Sequence, residues 1–320
     1  MARSSRHRPT TLALALVTAA LALAGSALAQ PRFVSIGTAS PAGAYYPLGV
    51  AMAEIWNDAI PGTTFSAQET GGSVANMNLI AAGDIELGIA NENIGYDAYN
   101  GAEPFARPLT DMSMGWTLNA SQGVFVALAS SGLTDVSQLA GKRVGLGAPG
   151  SSGNVLAQRV LAAQGIDEGE YTPVFLGWQE SAEALVDGAL DAAIMVGGQP
   201  FPAIESLAIR QDVHILRFDD AELNPEGAYP LTKRPLPAEM YGTPFAGDAI
   251  VVRSIVYLRN DLPEDTAYAM VAAVFDNLDT LAEAHPTGSQ AELISSALAD
   301  LLRIPVHPGV VRYAQEKGAW

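Results

Sequence analysis

GLGAPGSSGN, residues 145–154, has the Gly145-x-Gly147-x-x-Gly150 spacing of a dinucleotide-binding loop. Its setting suits that reading at first. Lys142-Arg143-Val144 leads in as a short strand, Asn154-Val-Leu-Ala-Gln-Arg-Val-Leu follows as a helix, and Asp167 stands where a ribose-binding acid would. Two details count against it. Gly145 and Gly147 alternate with Val144 and Leu146 as strand residues do, and the turn proper is Pro149 to Gly153. In a chain with 31 glycines, three at this spacing carry little weight. The stretch reads better as a strand, a polar loop and a helix start, a unit that recurs along the chain.

The first copies lie upstream. Arg32-Phe33-Val34-Ser35-Ile36 predicts a strand, a loop follows to Tyr46, and Pro47 opens a helix with Leu48, Met52 and Ile55 on one face. Thr64 to Ala67 predicts a second strand, Glu69-Thr70-Gly71-Gly72-Ser73 a loop, then a helix with Val74, Met77 and Ala81, and a third strand from Glu86 to Ala90. The second half repeats the order: strand Val144 to Gly147, helix with Leu156, Val160 and Ala163, strand Pro173 to Leu176, helix near Ser181 to Val186, then Leu190 to Val196. Gly83-Asp-Ile-Glu-Leu-Gly-Ile and Gly188-Ala-Leu-Asp-Ala-Ala-Ile match in their Gly, aliphatic, acid, small and Ile positions. Alternating periods of this kind predict an α/β protein of two like lobes, each presenting loops at the carboxyl ends of its strands. Ligands of open α/β sheets bind outside those ends, so the facing loops predict a cleft.

Met1 to Thr11 is basic, Leu12 to Ala24 is an apolar run, and Ala27-Leu28-Ala29 supplies small residues before Gln30, the pattern of a secretory signal peptide over residues 1–29. The expectation is an exported chain without membrane insertion, placed in the periplasm. There is no cysteine, hence no disulfide framework and no thiol nucleophile. The net charge of −17 becomes −20 once the three arginines of residues 1–29 are removed, which disfavours nucleic acid and anionic membrane as partners. An exported protein rarely meets nicotinamide cofactors, and no haem, copper or flavin signature occurs, so no cofactor is expected.

The stretch Ile36-Gly37-Thr38 with Gly43-Ala44-Tyr45-Tyr46-Pro47-Leu48-Gly49 resembles the signature of TAXI proteins, solute receptors of one branch of the tripartite (TRAP) transporters. The likeness continues through Glu69 to Val74, Tyr96 to Gly101, Leu139 to Val144, Gly147 to Ser151, Asp261 to Glu264 and Ile304 to Gly309. The resemblance implies a two-lobed periplasmic binding protein of the type II fold that closes on a small carboxylate, typically glutamate, 2-oxoglutarate or a similar dicarboxylate. It further implies delivery to TRAP membrane permease subunits, without one dedicated Arg for the carboxylate. Gly43-Ala44, Asn91-Glu92-Asn93 and Ser152-Gly153-Asn154 depart from the family's usual Gly-Thr, Gln-Ser-Asp and Gly-Thr-Glu at cleft-loop positions. A periplasmic sensor for a membrane kinase would look the same in sequence, and an exported enzyme is the remaining alternative.

The expected ligand-binding residues are Thr38, Gly43, Ala44, Tyr45, Gly72, Ser73, Asn91, Asn93, Gly150, Ser151, Ser152, Gly153, Gly198 and Gln199. Small and hydroxyl residues at helix starts expose N–H groups that bind an anion without any Arg. Ser73 reads as the N-cap of its helix, Tyr45 as a wall of the cleft, Asn91 and Asn93 as facing the ligand, and Glu92 as turned away. Trp178 and Trp116 read as packing residues with ligand contact as the alternative. His214, His285 and His307 are far apart and read as structural, and no catalytic or metal-binding spacing occurs. Lobe one is expected over 30–120, lobe two over 121–247 and a return to lobe one over 248–320, with a monomer as the expected state. Five prolines between Asp219 and Gly247 predict a surface excursion of lobe two. Asp261-Leu-Pro-Glu264 reads as a capping box opening a helix with Val271, Phe275 and Leu278.

Overall fold

The computed structural model describes residues 32–320, so the expected signal peptide lies outside the described residues. Strands β1 (Arg32–Gly37), β2 (Thr63–Gln68) and β3 (Leu87–Asn91) alternate with helices α1 (Tyr45–Ala59), α2 (Ser73–Ala82) and α3 (Glu92–Asn100). After the long strand β4 (Met112–Leu128), the pattern recurs as β5 (Arg143–Gly145), α4 (Ser152–Ala163), β6 (Thr172–Val174), α5 (Trp178–Val186), β7 (Ala192–Gly197) and α6 (Pro202–Arg210). Short strands β8 (Val213–Ile215) and β9 (Thr232–Leu236) precede the second long strand, β10 (Gly247–Arg259). Helix α7 (Glu264–Phe275), α8 (Leu278–Ala284), strand β11 (Glu292–Leu293), α9 (Ser296–Leu302) and α10 (Pro308–Glu316) finish the chain.

The eleven strands of the described residues belong to one sheet, whose main path runs β2-β1-β3-β10-β4-β7-β5-β6. The strands β2, β1 and β3 pair in parallel, as do β6, β5 and β7. The two triplets have the same order when read inward, which is the topological form of the internal echo. Gly83 and Gly188, the first residues of the matched segments, both adopt positive φ, and each turns a helix back toward a strand. Between the triplets, β4 and β10 pair antiparallel along nearly their whole length. Leu258 to Ser254 of β10 ladder onto β3, while Gln122 to Val126 of β4 ladder onto β7, so these two strands physically join the halves. Their register slips between Ser254 and Ile255, opposite Asn119 and Thr117.

Apolar faces explain the layering. One core cluster packs α1 and α7 over the first triplet around Trp56 and Trp116, whose rings lie 6.2 Å apart edge to face. Trp116 is thus a packing residue. A second packs α5 and α6 around Phe201, and the largest runs through both halves, from Met77 and Ile80 to Val144 and Leu156. Among the described residues no helix is long and apolar enough to cross a membrane.

Several local expectations need correction. Helix α1 begins at Tyr45, two residues before Pro47, which is tolerated because the first turn has no intrahelical use for its N–H. Strand β5 ends at Gly145, and Gly147 has φ +87°, so it belongs to the turn rather than the strand. Asp261 does not cap α7. Its carboxylate accepts from Arg259 Nε at 2.6 Å, and α7 stops at Phe275, with Leu278 opening α8.

The Pro-rich excursion of residues 219–247 docks on α3 of the first half. The tilted rings of Tyr96 and Tyr229 meet with centroids 5.8 Å apart, while Arg159 of α4 donates to the Leu223 carbonyl and to Asn224 Oδ1. Buried Glu92 accepts from the Arg253 backbone at 2.9 Å and pairs with its guanidinium at 3.0 Å. Nearby, burial pushes the Asp97 carboxyl from 3.8 up to about 6, against the pull of Arg159. Because the folded value is the higher one, the folded chain keeps a proton that the unfolded chain releases. Asp97 therefore favours folding at low pH, an advantage lost as pH rises through 6, worth up to about 3 kcal/mol. Asp97→Asn should not respond in this window, so its stability relative to wild type should grow between about pH 4 and about pH 7 in urea unfolding. A difference independent of pH would contradict this.

Candidate functional site

Helix starts from both halves face one cavity of about 110 Å³ at the carboxyl ends of the parallel strands. One water needs roughly 10–15 Å³ on this scale, so the space suits a molecule of about ten non-hydrogen atoms. The first residues of four helices line it, each with its preceding cap: Ala44-Tyr45 of α1, Gly72-Ser73 of α2, Ser151-Ser152 of α4 and Gly177-Trp178 of α5. None of these caps accepts a first-turn N–H through its side chain. Each helix start carries roughly half a positive charge. Four of them converge on a cavity whose lining contains no Asp, Glu, Lys, Arg or His. The arrangement presents N–H groups and positive potential without a cationic side chain, which is the chemistry of an anion site.

The lining includes Gly43, Ala44, Tyr45, Gly72, Ser73, Asn91, Ser151, Ser152, Gly153 and Gly198 of the residues expected from sequence. Four others lie elsewhere. Thr38 is buried as a strut, its hydroxyl donating to the Gln68 carbonyl at 2.7 Å. Asn93 is buried beyond the lining, with Oδ1 unpartnered. Gln199 turns to the Tyr241 hydroxyl. Gly150 meets the first half instead: its carbonyl accepts from Val74 N at 3.0 Å and Ala75 N at 3.1 Å. A loop of the second half thereby caps α2 of the first.

Ser73 is the first residue of α2 rather than its cap, which is Gly72 at φ 105°. Its hydroxyl accepts from Asn91 N at 3.2 Å. The capping work falls to Thr70, which accepts from Gly72 N at 3.1 Å and donates to Asn76 Oδ1 at 2.7 Å. Asn76 in turn donates to the carbonyls of Gly37, Thr38 and Ile89, tying together the ends of β1 and β3 beneath the cavity. Neither Thr70 nor Asn76 was singled out by sequence pattern, although Thr-Gly-Gly-Ser before a helix is a recognisable turn.

Tyr45 forms a wall and anchors a buried chain of hydroxyls. Its Oη lies 2.9 Å from Ser254 Oγ, which lies 2.8 Å from Ser121 Oγ, and Asn119 Nδ2 donates to Ser121 at 3.4 Å. Burial pushes the Tyr45 pKa up, so the hydroxyl stays protonated and available as a donor. The other wall is Trp178, held edge to face by Phe201 at 4.9 Å. Its ring lies beside Gly197 and reaches across to Gly43, where an added Cβ would sit 3.2 Å from it.

None of the described histidines is part of the lining, although His285 lies beside Gly198. His307 accepts from Gly309 N through Nδ1 and donates through Nε2 to the Leu262 carbonyl, while His285 Nδ1 accepts from Thr287 N. Burial lowers the pKa of both. Among the described residues no group of three or more His, Cys, Asp or Glu is placed to hold a metal ion.

The model of the NMT1-like family matches residues 36–318. Among solved structures, the chain is similar to a Bordetella bronchiseptica RB50 protein at 15% identity and a TM-score of 0.59, covering 90% of this chain and 99% of that one. It is similar to PhnD1 from Prochlorococcus marinus in complex with methylphosphonate at 11% identity and a TM-score of 0.53, covering 91% and 100%. The periplasmic aliphatic sulphonate binding protein SsuA from Escherichia coli matches at 15% identity and a TM-score of 0.47, covering 90% and 89%. The chain shares its mixed α/β fold with the Bordetella bronchiseptica and Prochlorococcus marinus proteins.

Proposed function

From the premise that this chain belongs to the NMT1-like family, we propose that it is a periplasmic solute receptor that captures a small carboxylate and hands it to a membrane permease. The observation that carries this reading is the convergence of four helix starts on a small cavity whose lining has no charged side chain. Each N–H-to-carboxylate contact at a helix start contributes roughly 0.3–2 kcal/mol, and several together, once closure excludes water, reach the ~8–12 kcal/mol of a micromolar to nanomolar receptor. Methylphosphonate in PhnD1 is likewise a small anion in a protein of the same fold. The lining offers amides, hydroxyls and one high-pKa tyrosine, with no acid–base pair for catalysis, which favours a receptor over an enzyme.

Export follows from the residues 1–29 pattern, with cleavage after Ala29. The resemblance to TAXI receptors points to TRAP permease subunits as the partner, and to glutamate, 2-oxoglutarate or a similar dicarboxylate as the solute. The long strands β4 and β10 join the two halves, which suits closure of one on the other around bound solute. Ligand that contacts both halves would stabilise the closed form by mass action.

A thermal-shift series with C4 and C5 dicarboxylates, amino acids and small sugars tests the reading. A raised melting temperature is expected with dicarboxylates and not with sugars, and Ser152→Ala should reduce it. A shift with sugars alone would sink the proposal.

A further inference from the structure

We propose that Trp178 sets the greatest length of solute the cavity accepts, so that shortening this one side chain turns the receptor toward longer acids. The inference rests on the carboxylate reading above and adds to it the residue that limits chain length. Most of the lining is Gly, Ala, Ser or Thr, and its two aromatic residues are Tyr45 and Trp178. Side chains that small leave the extent of the space to the two rings. Tyr45 is buried and tied through its hydroxyl to Ser254 at 2.9 Å, so it belongs to the frame of the site. Trp178 is half-buried and stands at the edge, where its size decides how far a solute extends.

The indole is fitted between glycines of the two halves. An added Cβ at Gly197, the last residue of β7, would lie 2.6 Å from Trp178 Cη2 and 3.0 Å from Cζ2. At Gly43, just before α1, it would lie 3.2 Å from the same Cη2. The far end of the ring thus occupies the space that a side chain on either glycine would need, and Phe201 holds it edge to face at 4.9 Å. Helix α5 also differs from the other three starts in having an acid in its first turn, Glu180, whose carboxylate lies against Gly177 and offsets the local positive potential. What this helix gives the site is therefore its ring. A solute longer than the roughly ten non-hydrogen atoms the cavity holds has to push the indole off Gly43 or keep the halves apart. Removing the indole extends the space toward Gly197 and Phe201.

Calorimetric titration with the linear diacids from succinate to suberate, which lengthen one methylene at a time, tests this on protein unfolded and refolded to strip bound solute. Suberate should bind the wild type at least about tenfold more weakly than glutarate, because a chain too long for a packed site strains it. Trp178→Ala should weaken glutarate and strengthen suberate, moving the ratio of the two at least about tenfold toward suberate. Trp178→Phe keeps a ring for Phe201 to pack on, which guards against misfolding, and should move the limit by a smaller step. Equal weakening at every length in both variants would make Trp178 a packing residue only, overturning the inference and leaving the carboxylate reading standing. Wild-type protein that binds suberate as tightly as glutarate would overturn it in the same way. Binding of no diacid by any of the three proteins would overturn the carboxylate reading and the inference with it.

Discussion

Gly71→Val should weaken solute capture by up to about thirtyfold and enlarge the radius of gyration of the ligand-free protein. Gly71 lies against the loop of the second half, where an added Cβ would overlap the Pro149 carbonyl oxygen. The same meeting of loops places the Gly150 carbonyl on Val74 N and Ala75 N. Those are first-turn donors of α2 that no side chain caps. Side-chain bulk at residue 71 has to push the loops apart and break both hydrogen bonds. At about 1 kcal/mol each, their loss lowers the ratio of closed to open forms roughly thirtyfold, and apparent affinity falls by up to that factor, in proportion to the closed fraction. Small-angle scattering reads the opening without any ligand, and titration with 2-oxoglutarate reads the affinity. Ala75→Leu repeats the test from outside the lining, because an added Cβ at Gly150 would lie 3.1 Å from the Ala75 methyl. Unchanged scattering from both variants would show that this contact does not hold the halves together.

Features of the site differ in how far local sequence reveals them. The duplicated order of strands and helices was legible because each unit ends in a local conflict that few residues resolve. Gly83 and Gly188 mark left-handed turns, and a small polar loop marks each helix start. The cleft loops followed from that, and with them the placement of Tyr45, Ser73, Asn91 and Ser152 along the cavity. Sequence and structure diverge where a residue has two tasks within reach and only the three-dimensional neighbour decides. Gln199 follows Gly197-Gly198 in a cleft loop, yet Tyr241, 42 residues on, takes its side chain. Thr38 sits beside the cavity loops but bonds to the end of β2, and Asp261 has the spacing of a cap but is claimed by Arg259. Ser121 and Ser254 were out of reach altogether. They are 133 residues apart, and what brings them together is the register of β4 against β10, which no local pattern encodes.

That register underlies the second large effect: Ser254→Ala should cost about 2–4 kcal/mol of stability and also weaken ligand binding. Ser254 is fully buried, and its hydroxyl stands between Tyr45 Oη at 2.9 Å and Ser121 Oγ at 2.8 Å. Asn91 Nδ2 approaches the same oxygen at 3.5 Å. Deleting it leaves the Tyr45 and Ser121 hydroxyls buried without this partner, and an unsatisfied buried polar group costs about 1–3 kcal/mol. Asn119 Oδ1, in the same cluster, already lacks a partner, so the network has little capacity to rearrange. The effect extends to binding because Tyr45 and Asn91 line the cavity, while Ser254 and Ser121 sit on the strands that join the halves, beside the slip in their pairing. Ser254→Thr keeps the hydroxyl and should recover most of the binding if the added methyl is accommodated. Tyr45→Phe with Ser254→Ala should cost less than the sum of the two single changes, since the second removes a group the first has already orphaned. Denaturant unfolding of the four proteins gives the coupling directly. Strict additivity would mean that the hydroxyls are neighbours without being partners, and that the wall of the cavity and the joining strands are held independently.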